Sequence, residues 1–82
     1  MKVFLSRKAA KSLEEAPADI KRRLDEKISE LSRTAFPAGC RKLRGAQNAY
    51  RLRVGDYRVL YTMVTKDEIL VFKIARRETA YT

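Results

Sequence analysis

The sequence predicts an α+β domain in the order β-α-α-β-β-β, an antiparallel sheet with a two-helix hairpin packed on one face. Three observations predict it. Apolar residues recur at helical spacing before Arg33, and the pattern changes to strict alternation from Tyr50 onward. Gly55-Asp56 then falls between two alternating runs, where a two-residue hairpin loop is needed. With 82 residues the chain has room for one modest core, so residues 1–82 are assigned to a single domain.

Each element follows from local chemistry. Lys2 to Leu5 reads as a short strand, and Ser6 is a good N-cap for the helix-forming run Arg7 to Ala16. Pro17 interrupts that run. Proline is tolerated in a first helical turn, and Ile20, Leu24, Ile28 and Leu31 recur at helical spacing, so a second amphipathic helix is predicted over Ala18 to Arg33. The short connection implies an antiparallel helical hairpin, with Leu13 and Leu24 turned to one core. Pro37 and Gly39 mark a loop. Beyond it Tyr50, Leu52 and Val54 alternate with Arg51 and Arg53, which predicts an amphipathic strand. Tyr57 to Val64 returns from the Gly55-Asp56 turn, and Lys66-Asp67 turns the chain into a last strand, Glu68 to Ala75.

The hairpin turn sets a register. Val54 should pair with Tyr57, Arg53 with Arg58, Leu52 with Val59 and Tyr50 with Tyr61. Carried through Lys66-Asp67, the count pairs Tyr61 with Phe72, Leu60 with Lys73 and Val59 with Ile74. Opposed residues share a sheet face. Tyr50, Leu52, Val54, Tyr57, Val59, Tyr61, Met63, Leu70, Phe72 and Ile74 are therefore expected against the helices. Arg51, Arg53, Arg58 and Lys73 point away, and a one-residue slip would bury the arginines. Arg53 opposite Arg58 sets like charges side by side with no carboxylate nearby on that face, which marks a site for an anion. The alternative is that arginine stems cover the sheet while their heads stay in water. If the last strand continues in extended form, the same parity brings Arg77 and Tyr81 to this face. Guanidinium groups bind phosphate bidentately and a phenol stacks on a base or donates a proton, so single-stranded RNA suits such a cluster. Tyr81 as an unordered tail residue remains the other reading.

Composition bounds the chemistry. Arg and Lys number 19 against 10 Asp and Glu, a net charge of +9, which suits a polyanionic partner as well as simple solubility. Hydrophobic residues make up 45% in short periodic runs, which fits a folded domain rather than a basic tail. Cys40 is the one cysteine and histidine is absent, which excludes an internal disulfide, a zinc site and any histidine-dependent triad. Cys40 has no base near it in sequence and reads as a structural thiol. No metal or other cofactor is expected. Met1 to Leu5 is too short for a signal-peptide core and no stretch approaches membrane-spanning length, so a cytoplasmic protein without membrane contact is expected.

At this point the sequence resembles the RelE/ParE toxin superfamily. The likeness is carried by Lys42-Leu43-Arg44-Gly45, Tyr50-Arg51-Leu52-Arg53, Asp56-Tyr57-Arg58-Val59-Leu60-Tyr61, and Arg76-Arg77 shortly before Tyr81, and it extends over nearly the whole chain. The RelE-like branch implies an endoribonuclease toxin of a type II toxin–antitoxin system that cleaves mRNA in the ribosomal A site. It implies mRNA, the ribosome and a cognate antitoxin as partners. The family's two basic strand positions fall on Arg51 and Arg53, its Tyr-Arg arginine on Arg58, its later arginine on Arg77 and its tyrosine on Tyr81. Lys42, Arg44, Lys73 and Arg76 are expected to contact RNA.

The departures bear on mechanism. The first two positions are often lysine in the family, and arginine stays charged, so Arg51 is a poor general base. Some relatives place a glutamate ahead of the Leu-Arg-Gly stretch and a histidine near the C-terminus; here Arg41 stands at the first and no histidine exists. The arginines are then expected to bind the scissile phosphate and stabilise transition-state charge. Arg77 would lie beside the leaving oxygen, and Tyr81 would handle the 2′-hydroxyl proton or stack on a base. Lys73 is a reserve base. Competing expectations are a ParE-like inhibitor of DNA gyrase and a non-catalytic basic module that binds RNA or the ribosome.

Overall fold

The computed structural model describes residues 1–76. It contains β1 (Lys2–Leu5), α1 (Arg7–Glu15), α2 (Ala18–Leu31), β2 (Arg41–Lys42), β3 (Ala49–Val54), β4 (Tyr57–Thr65) and β5 (Glu68–Arg76). The strands form one sheet in the order β1-β5-β4-β3-β2, with both helices on one face. The predicted order of elements holds, with one addition and one difference of direction. The short strand β2 pairs with β3 in a hairpin whose first strand, two residues long, carries no alternation to predict it. All pairs are antiparallel except β1 with β5, because the two helices carry the chain across the sheet before it returns beside β1.

Ser6 caps α1 as expected: its backbone is extended and its Oγ accepts the Ala9 amide at 3.1 Å. Ser6 also stitches α1 to the sheet, its amide donating to the Val71 carbonyl at 2.9 Å and its hydroxyl to that of Phe72 at 3.3 Å. Pro17 stands at the N-cap of α2, where its missing N–H costs nothing and its carbonyl accepts the Lys21 amide at 2.7 Å. Asp19 in the first turn complements the helix dipole. The helix stops at Leu31, short of Arg33, in tight turns onto the Ser29 and Glu30 carbonyls. Among the described residues no helix is long and apolar enough to cross a membrane.

The core lies between the helices and the inner sheet face. Leu24 and Leu31 of α2 and Ala9 of α1 are fully buried against Leu52, Val59, Tyr61, Ile69, Val71 and Ile74, with Leu13, Ile20 and Ile28 packed around them. The Tyr61 hydroxyl donates to the Ala35 carbonyl at 2.7 Å, and Tyr50 stacks on Tyr61 with ring centres 5.7 Å apart. These contacts tie the loop after α2 to the sheet. Burial holds the Tyr61 phenol above its ordinary pKa, helped by its hydrogen bond with Cys40 and by Cys40 and Tyr50 nearby.

The β3–β4 register is the predicted one, from Val54 opposite Tyr57 to Tyr50 opposite Tyr61. Gly55 has φ +58°, and a Cβ there would sit 3.3 Å from a guanidinium nitrogen of Arg23, so both backbone and space favour glycine. Between β4 and β5 the prediction needs correction. Thr65 faces Glu68 and Leu60 faces Lys73, yet between them Met63 faces Ile69, Thr62 faces Leu70 and Tyr61 faces Val71 rather than Phe72. Two bulges cause this, one leaving Val64 extra in β4 and the other leaving Phe72 extra in β5. Ile69 and Val71 are consequently fully buried, whereas Leu70 and Phe72 fall outside the core. The run Ile69-Leu70-Val71-Phe72 is apolar throughout, so alternation could not choose its inward face. β1 chooses it: Val3 and Leu5, packed on the core, stand beside Ile69 and Val71. The second bulge restores the parity that sends Lys73 outward.

Candidate nucleic-acid interface

The sheet face away from the helices carries the cations. Strand alternation puts Arg51 and Arg53 of β3 there because Leu52 and Val54 must point to the core. Arg53 stands directly opposite Arg58, and Arg41, Arg51, Leu60 and Lys73 form one row across four strands. Arg58 is the exception in burial. At 4% exposure it is the one buried charged residue among those described, while Arg53 beside it is exposed and Arg51 and Lys73 are half-buried. A guanidinium sunk in a surface of other cations is held in a less polar setting than water, where its attraction to an anion is stronger.

Among the described residues, those of β2, β3 and β4 line two hollows on this face. The larger, about 610 Å³, is lined by Arg41, Lys42, Leu43, Arg44, Ala46, Arg51 and Leu60. Among the described residues no carboxylate lines it, and Leu60, only 6% exposed, gives it an apolar floor. The loop between β2 and β3 makes its rim. That loop is closed by the Leu43 amide on the Ala49 carbonyl at 2.8 Å, and anchored to β4 by the Thr62 hydroxyl and Met63 amide on the Asn48 carbonyl. Asn48 adopts φ +57°, a conformation asparagine tolerates better than most residues. The smaller hollow lies at the Gly55-Asp56 turn between Arg53 and Arg58. A shallower depression of about 780 Å³ runs along the exposed side of α2, but there Lys21, Arg22 and Arg33 alternate with Asp25, Glu26 and Glu30, so it offers an anion no net preference.

Arg51, Arg53, Arg58 and Lys73 are thus brought together on one face, and Lys42 and Arg44 reach the same hollow from β2 and its loop. Arg76 is not: it stands opposite Tyr57, on the helix side of the sheet. Arg77 and Tyr81 lie outside the described residues. Arg41 and Leu60 were not among the predicted site residues. Arg41 joins the face only through β2, a strand too short to show in sequence, and Leu60 reads as an ordinary strand hydrophobe.

What the face can do follows from its donors. Several guanidinium forks around an apolar floor can hold phosphate oxygens while a base rests on the floor. Among the described residues of these hollows, Asp56 at the turn is the sole carboxylate.

Comparison with known proteins gives the family. The putative toxin RelE1 of Methanocaldococcus jannaschii is 31% identical over 96% of this chain and 92% of its own length. The RelE–RelB complex of Pyrococcus horikoshii contains a chain that superposes with TM-score 0.81 at 32% identity, covering 96% of this chain and 97% of that one. The RelB–RelE antitoxin–toxin complex of Methanococcus jannaschii gives TM-score 0.79 at 26% identity, with 95% and 94% covered. Residues 3–81 match the family described as the ParE toxin of the type II toxin–antitoxin system, parDE. By that match and by its RelE relatives, the chain belongs to the RelE/ParE family of type II toxin–antitoxin toxins.

Proposed function

We propose that this toxin is an endoribonuclease that cleaves mRNA, acting in the ribosomal A site in the cytoplasm. The observation that carries the reading is the pair Arg53 and Arg58, directly opposed on the outer face, with Arg58 buried and Arg51 two residues along β3 on the same face. Like charges directly opposed on one sheet face repel, and a phosphate held between their guanidinium groups relieves that repulsion. Arg51, Arg53 and Arg58 hold the scissile phosphate and stabilise the charge that builds on it. The ribose 2′-oxygen attacks the adjacent phosphorus, a P–O bond forms to it, and the bond to the 5′-oxygen breaks. Tyr81, as the phenolate, takes the 2′-hydroxyl proton, and the 5′-oxygen leaves as an alkoxide stabilised by the Arg77 guanidinium and takes a proton from water to become a hydroxyl; both roles rest on the sequence resemblance. The products are a 2′,3′-cyclic phosphate and a 5′-hydroxyl.

The proposed partners are mRNA, the ribosome and an antitoxin. Two structural relatives are complexes with RelB, and a face of this charge suits an acidic segment that covers it. Charge reversal at Arg51 and Arg53 should weaken that complex.

Primer extension on mRNA in programmed ribosomes, beside naked RNA and the Arg51→Ala and Arg77→Ala variants, tests the activity. Cuts by the wild type that both variants lose support the reading. The family description names ParE, which favours gyrase inhibition as the second reading; no cuts on any RNA, together with inhibited DNA supercoiling, would establish it.

A further inference from the structure

The cationic row does not end at β5. β1 stops at Leu5, opposite Val71, and Ser6 turns the chain so that α1 packs against β5 beyond the point where β1 ends. There Lys8 and Lys11, one helical turn apart, join Ser12, Glu15 and Lys73 around a hollow of about 400 Å³. Lys73 is common to both features. It lines this hollow, and it stands opposite Leu60, which faces Arg51, which faces Arg41. The Phe72 bulge makes the link, because without it Lys73 would point into the core.

We propose that Lys8 and Lys11 of α1, with Lys73, form a second phosphate subsite, so that single-stranded RNA crosses the sheet at right angles to its strands. The proposal rests on the reading of the outer face as an RNA site. Strands lie ~4.8 Å apart, so the row from β5 to β2 spans ~14 Å, to which α1 adds its own reach. At ~3.4 Å per stacked nucleotide that is about four nucleotides, longer than one scissile phosphate requires. The chemistry fits the phosphate backbone. Lysine ammonium groups bind phosphate as compact point charges, the Ser12 hydroxyl adds a donor, and among the described residues neither Lys8 nor Lys11 has an ion-pair partner. Single-stranded RNA is favoured over an acidic protein segment because the hollow continues a row whose middle, Leu60 beside Arg51, offers an apolar floor next to a cation.

The test is cleavage in programmed ribosomes carrying mRNAs with one neutral methylphosphonate linkage, moved stepwise across the A-site codon and its neighbours. The readout is the toxin concentration giving half-maximal cutting. For the wild type, two zones of linkages should each raise that concentration by about tenfold, one next to the cut and one several nucleotides away. Lys8→Gln/Lys11→Gln should raise it on unmodified mRNA and lose the response to the distant zone alone, whereas Lys8→Arg/Lys11→Arg should keep the wild-type pattern. A wild type with a single zone, or a glutamine variant that still responds at both, overturns the subsite while leaving the RNA site intact. A glutamine variant unchanged on mRNA but weakened toward the antitoxin would give the hollow to an acidic protein. No cutting by the wild type would remove the RNA site itself and the subsite with it.

Discussion

Replacing Tyr61 by phenylalanine removes one oxygen from the centre of the molecule and tests how the loop after α2 is held. Tyr61 is fully buried, and its hydroxyl donates at 2.7 Å to the carbonyl of Ala35, a residue only 8% exposed. The ring would keep its packing on Tyr50 while the Ala35 carbonyl lost its donor in a place water scarcely reaches. A buried acceptor left without its bond costs about 1.5 kcal/mol, which for a domain of this size lowers Tm by roughly 6–12 °C. Thermal melts followed by circular dichroism at neutral pH read this directly. Alkali gives a second readout. The phenol is held above its ordinary pKa of 10 by burial first, so the folded state keeps its proton while the unfolded chain releases it. Its contribution is complete below about pH 10 and is lost as pH rises from there through the folded value, by at most about 1.4 kcal/mol per pH unit. Wild-type stability should therefore fall above pH 10, and Tyr61→Phe should lack that part of the slope. An unchanged Tm with an unchanged alkaline slope would show that neither the hydrogen bond nor the burial of the phenol has the weight assigned to it.

Arg58→Gln should slow single-turnover cleavage in programmed ribosomes by about 10²–10³, the usual cost of losing one preorganised donor; a rate within threefold of wild type would place Arg58 outside the reaction. Gly55→Ala should cost about 1–2 kcal/mol in urea denaturation, since alanine must adopt φ +58° with Arg23 close by, and a neutral result would mean that the turn relaxes freely. Val71→Ala should destabilise by about 2 kcal/mol, and by more than Phe72→Ala although phenylalanine is the larger side chain, because Val71 is fully buried and Phe72 lies outside the core. The reverse order in urea midpoints would restore the register without bulges.

Most of the fold was legible because the signals were local. The Ser6 cap, the break at Pro17, the helical spacing of Ile20 to Leu31 and the Gly55-Asp56 turn each act within a few residues, and each appears in the structure where the chemistry put it. The shared face of Arg51, Arg53 and Arg58 was legible for the same reason. Arg51 and Arg53 alternate with Leu52 and Val54, so burying the leucine and valine sends the arginines outward, and the turn sets Arg58 opposite Arg53.

What remained hidden depends on contacts between distant segments. Nothing in Ile69-Leu70-Val71-Phe72 says which two side chains are buried; the parallel pairing of β1, more than sixty residues earlier, decides it and requires two bulges. Those bulges let one strand bury Ile69 and Val71 and still present Lys73 beside Leu60. Arg41 reaches the face through a strand of two residues that exists because β3 offers it an edge. The burial of Arg58 and the meeting of Lys8 and Lys11 with Lys73 likewise arise from packing. Alternation within a strand specifies a face, but it carries no information about which strand or helix will lie alongside, and here that neighbour sets how deep a cation sits and how far the charged row extends.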